Sequence, residues 1–393
     1  MDLLSRANAL APKLVEIRRD IHAHPELSFK ETRTAALVAR RLASLGYHVR
    51  THVGVTGCIG ELGSGDGPTV ALRADMDALP IQEANDVPYR SQVDGVMHAC
   101  GHDAHVACLL GAAMLLAEIE RSGSLPPGRI RLLFQPSEET TDEHNFSGAR
   151  RMIEDGAMED VDAVIGLHVA AESPAHEVLF RSGALLAGND TLSGTIRGAS
   201  AHAALPHEGK DALLFAAHVI LAAQAIVARS VDPLRPAVVT FGTIEGGSAS
   251  NILCSEVRLG GTLRYFDSEV RRKLHEELQR AFAVADAMGG EGQVEIRPGY
   301  PPVINDARLT EIVRSAARSV VGEDDVTTAD MIMGAEDFAF LAREAPGCFF
   351  WLGAGIAGDR RCHHSPRFDI DESCLPRGAA VLAAAARTVL AEW

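Results

Sequence analysis

The chain has 393 residues, 47% of them hydrophobic, which is more length than one compact domain uses and enough apolar side chain for a large core. Its 37 Lys and Arg against 53 Asp and Glu leave a net charge of −16 with no basic stripe, which argues against nucleic acid and anionic membrane surfaces as partners. Seven cysteines at irregular spacing form no disulfide framework.

The N-terminal Met1-Asp2-Leu3-Leu4-Ser5-Arg6 opens with an acid, unlike a secretion signal. No uncharged apolar run reaches about 18 residues, so no membrane span is expected and the setting reads as cytoplasmic. Helical periodicity covers Leu10 to His22 and Thr32 to Leu45, the second closed by Gly46. Short β-rich segments near Val70, Ile130, Ala163 and Phe349 alternate with helical ones at Val106 to Ile119 and Gly148 to Glu154. This alternation predicts an α/β fold, with helices on both faces of a largely parallel central sheet.

The middle of the chain changes character. Strands are expected at Asp190–Arg197, Ala237–Ile244, Val257–Tyr265 and Gln293–Arg297, with helices at Ala212–Arg229 and Ser268–Met288. That βαββαβ order is ferredoxin-like. The expected division is a catalytic αβα domain from residues 1–186 and 299–393, interrupted by an inserted lid of residues 187–298. The lid helix Ala212–Arg229 is apolar nearly all round, more than a small lid can bury, so association through the lid into a homodimer or larger homo-oligomer is expected.

Chemistry concentrates in Met97-His98-Ala99-Cys100-Gly101-His102-Asp103-Ala104-His105. Residues two apart on a helix point to nearly opposite sides, so Cys100 and His102 can converge only from a loop entering a helix, and Gly101 supplies the freedom for it. Thiolate and imidazole together are metal-ligand chemistry of the zinc type. Three strands end in further donors: Leu72-Arg73-Ala74-Asp75-Met76-Asp77, Phe134-Gln135-Pro136-Ser137-Glu138-Glu139, and Ile165-Gly166-Leu167-His168. Ligand groups collect beyond the carboxyl ends of strands in open α/β sheets. Cys362-His363-His364-Ser365-Pro366-Arg367-Phe368-Asp369 adds two imidazoles near the C-terminus.

RADMDALP, MHACGHDAH, QPSEE, GLHV, GASAHAALPHEG, GGSASN, MGAEDF and HHSPRFD, in this order, closely resemble the zinc-peptidase-like amidohydrolases, among them hippurate hydrolases, N-acyl-amino-acid amidohydrolases and indole-acetyl-amino-acid hydrolases. The resemblance runs from Arg18 to the C-terminus. It implies a hydrolase of linear amides holding two divalent metal ions, zinc first, with manganese, cobalt and nickel as alternatives. By that resemblance the metal ligands are Cys100, His102, Glu139, His168 and His364. Asp77 orients a ligand, and Glu138 is the general base, expected to point away from Glu139 because strand side chains alternate. His202 stabilises the oxyanion, while Asn251 and Arg264 contact the substrate carboxylate. For Arg264 the competing reading is a surface strand arginine in a salt bridge. Asp75 stands where relatives carry a histidine ligand, His363 reads as a bystander, and His105 as a hydrogen-bonded core histidine. The six cysteines other than Cys100 read as small buried residues.

The implied substrate is a small N-acyl-L-amino acid, cleaved to a carboxylic acid and an amino acid. Alternatives are a metallo-dipeptidase or carboxypeptidase on the same machinery, or a catalytically silent metal-binding homologue. One departure stands out. Where relatives carry a glycine-rich stretch after the paired glutamates, this chain has Thr140-Thr141-Asp142-Glu143-His144-Asn145-Phe146, which puts substrate preference carried over from the family in doubt.

Overall fold

In the computed structural model, residues 2–64 and 66–393 are described. They form two compact units, the first of residues 1–185, 304–330 and 337–393 and the second of residues 186–303 and 331–336. The second unit thus combines one continuous stretch with a short later segment.

In the first unit, α1 (Leu3–Ala23) starts where Asp2 accepts a hydrogen bond from the Ser5 N–H at 3.0 Å. It is followed by α2 (Thr32–Leu45), β1 (His48–Val53), β2 (Gly57–Ser64) and β3 (Thr69–Asp75). Next come α3 (His102–Arg121), β4 (Gly128–Gln135), α4 (Gly148–Glu154), β5 (Ala163–Pro174), β6 (Val178–Phe180) and β7 (Gly183–Leu186). The second unit holds β8 (Gly188–Arg197), α5 (Ala212–Arg229), β9 (Ala237–Gly246), β10 (Glu256–Tyr265), α6 (Ser268–Ala287) and β11 (Glu291–Pro298). After β12 (Val303–Asn305) the first unit resumes with α7 (Ala307–Val321), β13 (Val326–Thr328), α8 (Phe338–Glu344), β14 (Gly347–Gly355) and α9 (Cys374–Glu392).

The large sheet runs β1-β2-β4-β3-β5-β14-β6-β13. Its centre, β4-β3-β5-β14, is parallel, and antiparallel pairs flank it on both sides. Every residue of β3 is buried, as a strand covered on both faces requires. Helices α1, α3 and α9 pack together on one face, and α4 and α8 pack against β4, β5 and β14 on the other. Glycines set the closeness of α3 and α9: a Cβ on Gly111 would lie 2.7 Å from the Ala379 Cβ, and one on Gly378 would lie 2.7 Å from the Cys108 Sγ. Substitution there is overpacking, costing about 1–3 kcal/mol.

A buried arginine ties the ends of this unit together. Arg18 on α1 donates from Nε to Asp103 at 2.8 Å, from Nη2 to Asp369 at 2.8 Å, and from Nη1 to Glu372 at 3.3 Å.

The second unit is a four-stranded antiparallel sheet, β11-β8-β10-β9, with α5 and α6 packed together on one side of it. This is the ferredoxin-like arrangement. Asp190 is fully buried at its base. It accepts hydrogen bonds from Arg271 Nε at 2.8 Å and the Tyr265 hydroxyl at 3.1 Å, and pairs with His275 Nε2 at 2.6 Å.

Two sequence expectations change. By length and composition α3, α5 and α9 could each cross a bilayer, because the polar residues that interrupt them are too few to lower the average. In α3 and α9 that apolar surface is mostly buried in the core, whereas α5 is only 33% buried and exposes Leu213, Leu214 and Leu221. And Cys362 is exposed, unlike the other free cysteines.

Candidate metal centre

The stretch from Cys100 to His102 is a loop turning into α3. Gly101 takes φ 93° as the residue before the helix, and a Cβ there would lie 2.3 Å from the Val169 Cγ2. Only glycine fits that left-handed position. The turn lets Cys100 and His102, with His168 from β5, bring donor atoms within 4.8 Å of one another. His168 lies well inside β5, which continues to Pro174 rather than ending at the histidine.

Each imidazole is fixed by its other nitrogen. His102 Nδ1 donates to the Asp77 carbonyl at 2.9 Å and lies 3.2 Å from Asp77 Oδ1. Its Nε2 is left over, buried with no hydrogen-bond partner among the described residues, and is the nitrogen a cation could take once its proton is lost. His168 Nδ1 donates to the Val169 carbonyl at 2.8 Å, and its Nε2 faces Cys100 Sγ at 3.4 Å. A ligand histidine anchored through its distal nitrogen is the usual metal-site device.

The paired glutamates depart from the expected geometry. β4 ends at Gln135, and Ser137 adopts φ 45° in a turn, so strand alternation does not govern Glu138 and Glu139. Instead both carboxylates bring an oxygen within 4.8 Å of a His102 nitrogen. Asp77 arranges this. Its Oδ1 accepts the Glu138 N–H and its Oδ2 the Glu139 N–H, each at 3.1 Å, and Oδ2 also accepts the Ser28 hydroxyl at 2.6 Å.

Glu139 extends the cluster: Cys100, Glu139 and His364 also bring donor atoms within 4.8 Å, with His364 Nε2 3.2 Å from Glu139 Oε1. His363, read as a bystander, also lies against Cys100. Its Nε2 accepts the Ala171 N–H at 3.4 Å, leaving Nδ1 to face Cys100 Sγ at 3.8 Å.

Asp75 and His105 satisfy each other. His105 donates from Nδ1 to Asp75 at 2.5 Å and accepts the Val169 N–H at Nε2 at 2.9 Å. Arg73 pairs with Asp75 at 2.7 Å and with Asp337 at 2.8 Å, so Asp337 of the MGAEDF motif holds an arginine beneath the site. Sequence reasoning passed over Arg73, although a lone cation in an all-buried strand is a signal.

The electrostatics fit cations. Burial and the Glu139, Glu138 and Asp75 carboxylates hold the Cys100 thiol well above its ordinary value. Burial would lower His102, but Asp75 and Asp77 raise it to about 10. A buried thiol, anchored imidazoles with open lone pairs and surplus carboxylate fit divalent cations, whose charge would release those protons. The trios overlap: Cys100 belongs to two of them, Glu139 to two and His102 to three.

In the second unit His202 and Asn251 are neighbours: Ala203 donates its N–H to the Asn251 carbonyl at 3.0 Å, and His202 pairs with Ile252 in an isolated bridge. His202 Nδ1 accepts the Ala204 N–H at 3.0 Å, so its exposed ring carries the proton on Nε2. Arg264 is half-buried on β10 and donates to Thr262 Oγ1 at 2.9 Å. It makes no ion pair with a carboxylate among the described residues, so the salt-bridge reading of this arginine does not hold.

The "Peptidase family M20/M25/M40" model matches residues 71–388. The chain belongs to this family, and it is an amide-bond hydrolase. It is 44% identical to a Synechocystis protein named "Probable hydrolase", covering 98% of both chains. It is 41% identical to the N-acetyl-L-cysteine deacetylase of Bacillus subtilis, over 98% of this chain and 89% of that one. Among solved structures, a Bacillus subtilis dinuclear metal-binding peptidase of family M20 superposes with a TM-score of 0.85 at 33% identity, covering 98% of this chain and all of the other.

Proposed function

We propose that this enzyme hydrolyses N-acyl-L-amino acids, releasing a carboxylic acid and a free amino acid. The observation that carries the reading is the convergence of Cys100, His102, Glu139, His168 and His364 with a second carboxylate, Glu138, beside them. Those five would hold two divalent cations, zinc before manganese, cobalt or nickel, given one thiolate and three imidazoles in the set. Bound there, the cations would supply Lewis-acid polarisation of the amide carbonyl and a water of lowered pKa.

The chain's own groups do the rest. Glu138 takes the proton from the attacking water and delivers it to the leaving nitrogen. Asp77 keeps Glu138 and His102 in register. His202 offers its Nε2–H to the developing oxyanion, from its own subunit or a neighbouring one. Arg264, with no carboxylate partner among the described residues, and Asn251 receive the substrate's carboxylate. The named activity of the Bacillus subtilis N-acetyl-L-cysteine deacetylase supports an acyl-amino acid over a dipeptide. The apolar surface of α5, next to the exposed Ile244 of edge strand β9, supports a homodimer formed through the second unit. A cytoplasmic setting suits the buried free thiols.

The test is a hydrolysis panel of N-acyl-amino acids, dipeptides and peptides, run alongside elemental analysis. Release of amino acid from acyl-amino acids with about two divalent ions per chain is expected. Turnover confined to dipeptides or longer peptides would sink the reading.

A further inference from the structure

The turn that carries the paired glutamates has a second anchor besides Asp77. Ser137, Glu138 and Glu139 present three successive backbone N–H groups, and each is met by a buried carboxylate oxygen. Ser137 donates to Glu31 Oε1 at 2.9 Å, and the next two donate to Asp77 at 3.1 Å each. Glu31 stands at the start of α2 and is 0% exposed. Its Oε1 also accepts the Phe29 N–H at 3.0 Å, and its Oε2 accepts the Thr56 hydroxyl at 2.5 Å. Ser137 is held on its other sides too: its carbonyl accepts the Gly148 N–H at 2.8 Å, and its hydroxyl donates to the Thr140 carbonyl at 2.9 Å.

This grip opposes a real cost. Ser137 sits at φ 45°, a left-handed conformation that a non-glycine residue holds only when its surroundings over-determine it. Relaxation of that dihedral would swing the following residues, which carry a metal donor and the expected proton carrier. A carboxylate accepting backbone N–H groups forms charge-assisted bonds, about twice as strong as neutral ones.

We infer that Glu31 is a positioning residue for the catalytic turn, acting with Asp77 to hold Ser137 in its left-handed conformation so that Glu138 and Glu139 face the metal positions together. The inference rests on the reading of Glu139 as a ligand and Glu138 as the base. It assigns work to Glu31, in the Ser28-Phe29-Lys30-Glu31-Thr32 segment, which lies outside the proposed ligand set.

The test compares Glu31→Ala, Glu31→Gln and Glu31→Asp in the full-length enzyme, reading zinc affinity by chelator competition, kcat and KM separately, and thermal stability. Glutamine keeps an oxygen for the Ser137 and Phe29 N–H groups and an amide that the Thr56 hydroxyl can accept from. Burial and the nearby Asp77 charge already push Glu31 up to about 7, so its protonated form, which the amide mimics, is accessible near neutrality. The alanine and aspartate variants should lose about 10–100-fold in zinc affinity and in kcat, with KM little changed, and the glutamine variant should recover most of both. Lowered thermal stability with unchanged zinc affinity and kcat in Glu31→Ala would overturn the inference, leaving Glu31 a purely structural group. So would a glutamine variant as impaired as alanine. If the wild type binds zinc but cleaves no acyl-amino acid, the proposed function falls while the zinc-affinity comparison still decides the role of Glu31.

Discussion

Asp77 meets His102 twice, with its main-chain carbonyl 2.9 Å and its carboxylate Oδ1 3.2 Å from the same ring nitrogen. The same carboxylate receives the N–H groups of Glu138 and Glu139. One acid therefore fixes the tautomer of an imidazole and the approach of both glutamates.

Asp77→Asn is expected to weaken metal binding by about 10–100-fold. An amide nitrogen must then face either the Glu138 or the Glu139 N–H, donor against donor. Competition titration with a coloured chelator measures the loss. Wild-type affinity would show that the His102 carbonyl contact alone suffices.

Substituting the glutamates separately should divide their roles. Glu138→Gln cannot accept a proton, so kcat should fall by roughly 10²–10⁴ with metal retained. Glu139→Gln should lose metal first. Because both carboxylates reach toward His102, the opposite pattern would mean that the roles are exchanged rather than that the site is misplaced.

Cys100 belongs to two of the trios, one with His102 and His168 and one with Glu139 and His364, so Cys100→Ala should remove more than one ligand's worth of affinity. Elemental analysis of the purified variant is the check, and full metal content with full activity would remove Cys100 from the ligand set.

Much of this was legible in the residues. The helix Thr32–Leu45 and the lid helix Ala212–Arg229 follow from apolar periodicity and their boundary residues, and their ends are where the pattern puts them. Gly101 could be read as a conformational necessity because only glycine tolerates the turn between two convergent donors. The expected opposition of Glu138 and Glu139 could have been doubted at Pro136, where the strand stops, but the contact of Ser137 with Glu31, 106 positions away, was not legible in the sequence. The contact of His363 with Cys100, which spans 263 positions, was likewise not legible in the sequence.

Asp190 offers a pH-dependent stability test away from the metal centre. Burial alone would raise its pKa, but hydrogen bonds from Arg271 and His275 hold it below the usual carboxylate value. With the folded value depressed, its contribution is fully present above the unfolded value of about 3.9 and disappears as pH falls through the folded value. Asp190→Asn should therefore destabilise the protein by about 2–3 kcal/mol near neutrality, and the gap from wild type should shrink below about pH 4. Urea melts across pH are the measurement. A gap that stays constant down to pH 2 would contradict the assignment.

Mixed-subunit complementation tests where His202 works. Glu138→Ala and His202→Ala chains should each be nearly inactive. If His202 serves a neighbouring subunit's site, a mixed dimer contains one intact combination, and co-expression should restore up to about half of the activity of one wild-type site pair by simple counting of sites. Mixed dimers as inactive as their parents would mean that His202 works within its own chain or not at all.

Arg18 has a consequence for how the enzyme is made. Its partners Asp369 and Glu372 lie 351 and 354 positions further along the chain. During synthesis, helix α1 emerges from the ribosome long before the residues that carry two of its cation's buried counter-charges. Asp103 arrives sooner, but the contacts with Asp369 and Glu372 are then still unmade. The first unit cannot close until synthesis has passed the entire inserted unit, whose own contacts are complete by Glu336. Nascent chains halted before residue 369 should therefore carry a protease-resistant inserted unit within a still-cleavable remainder.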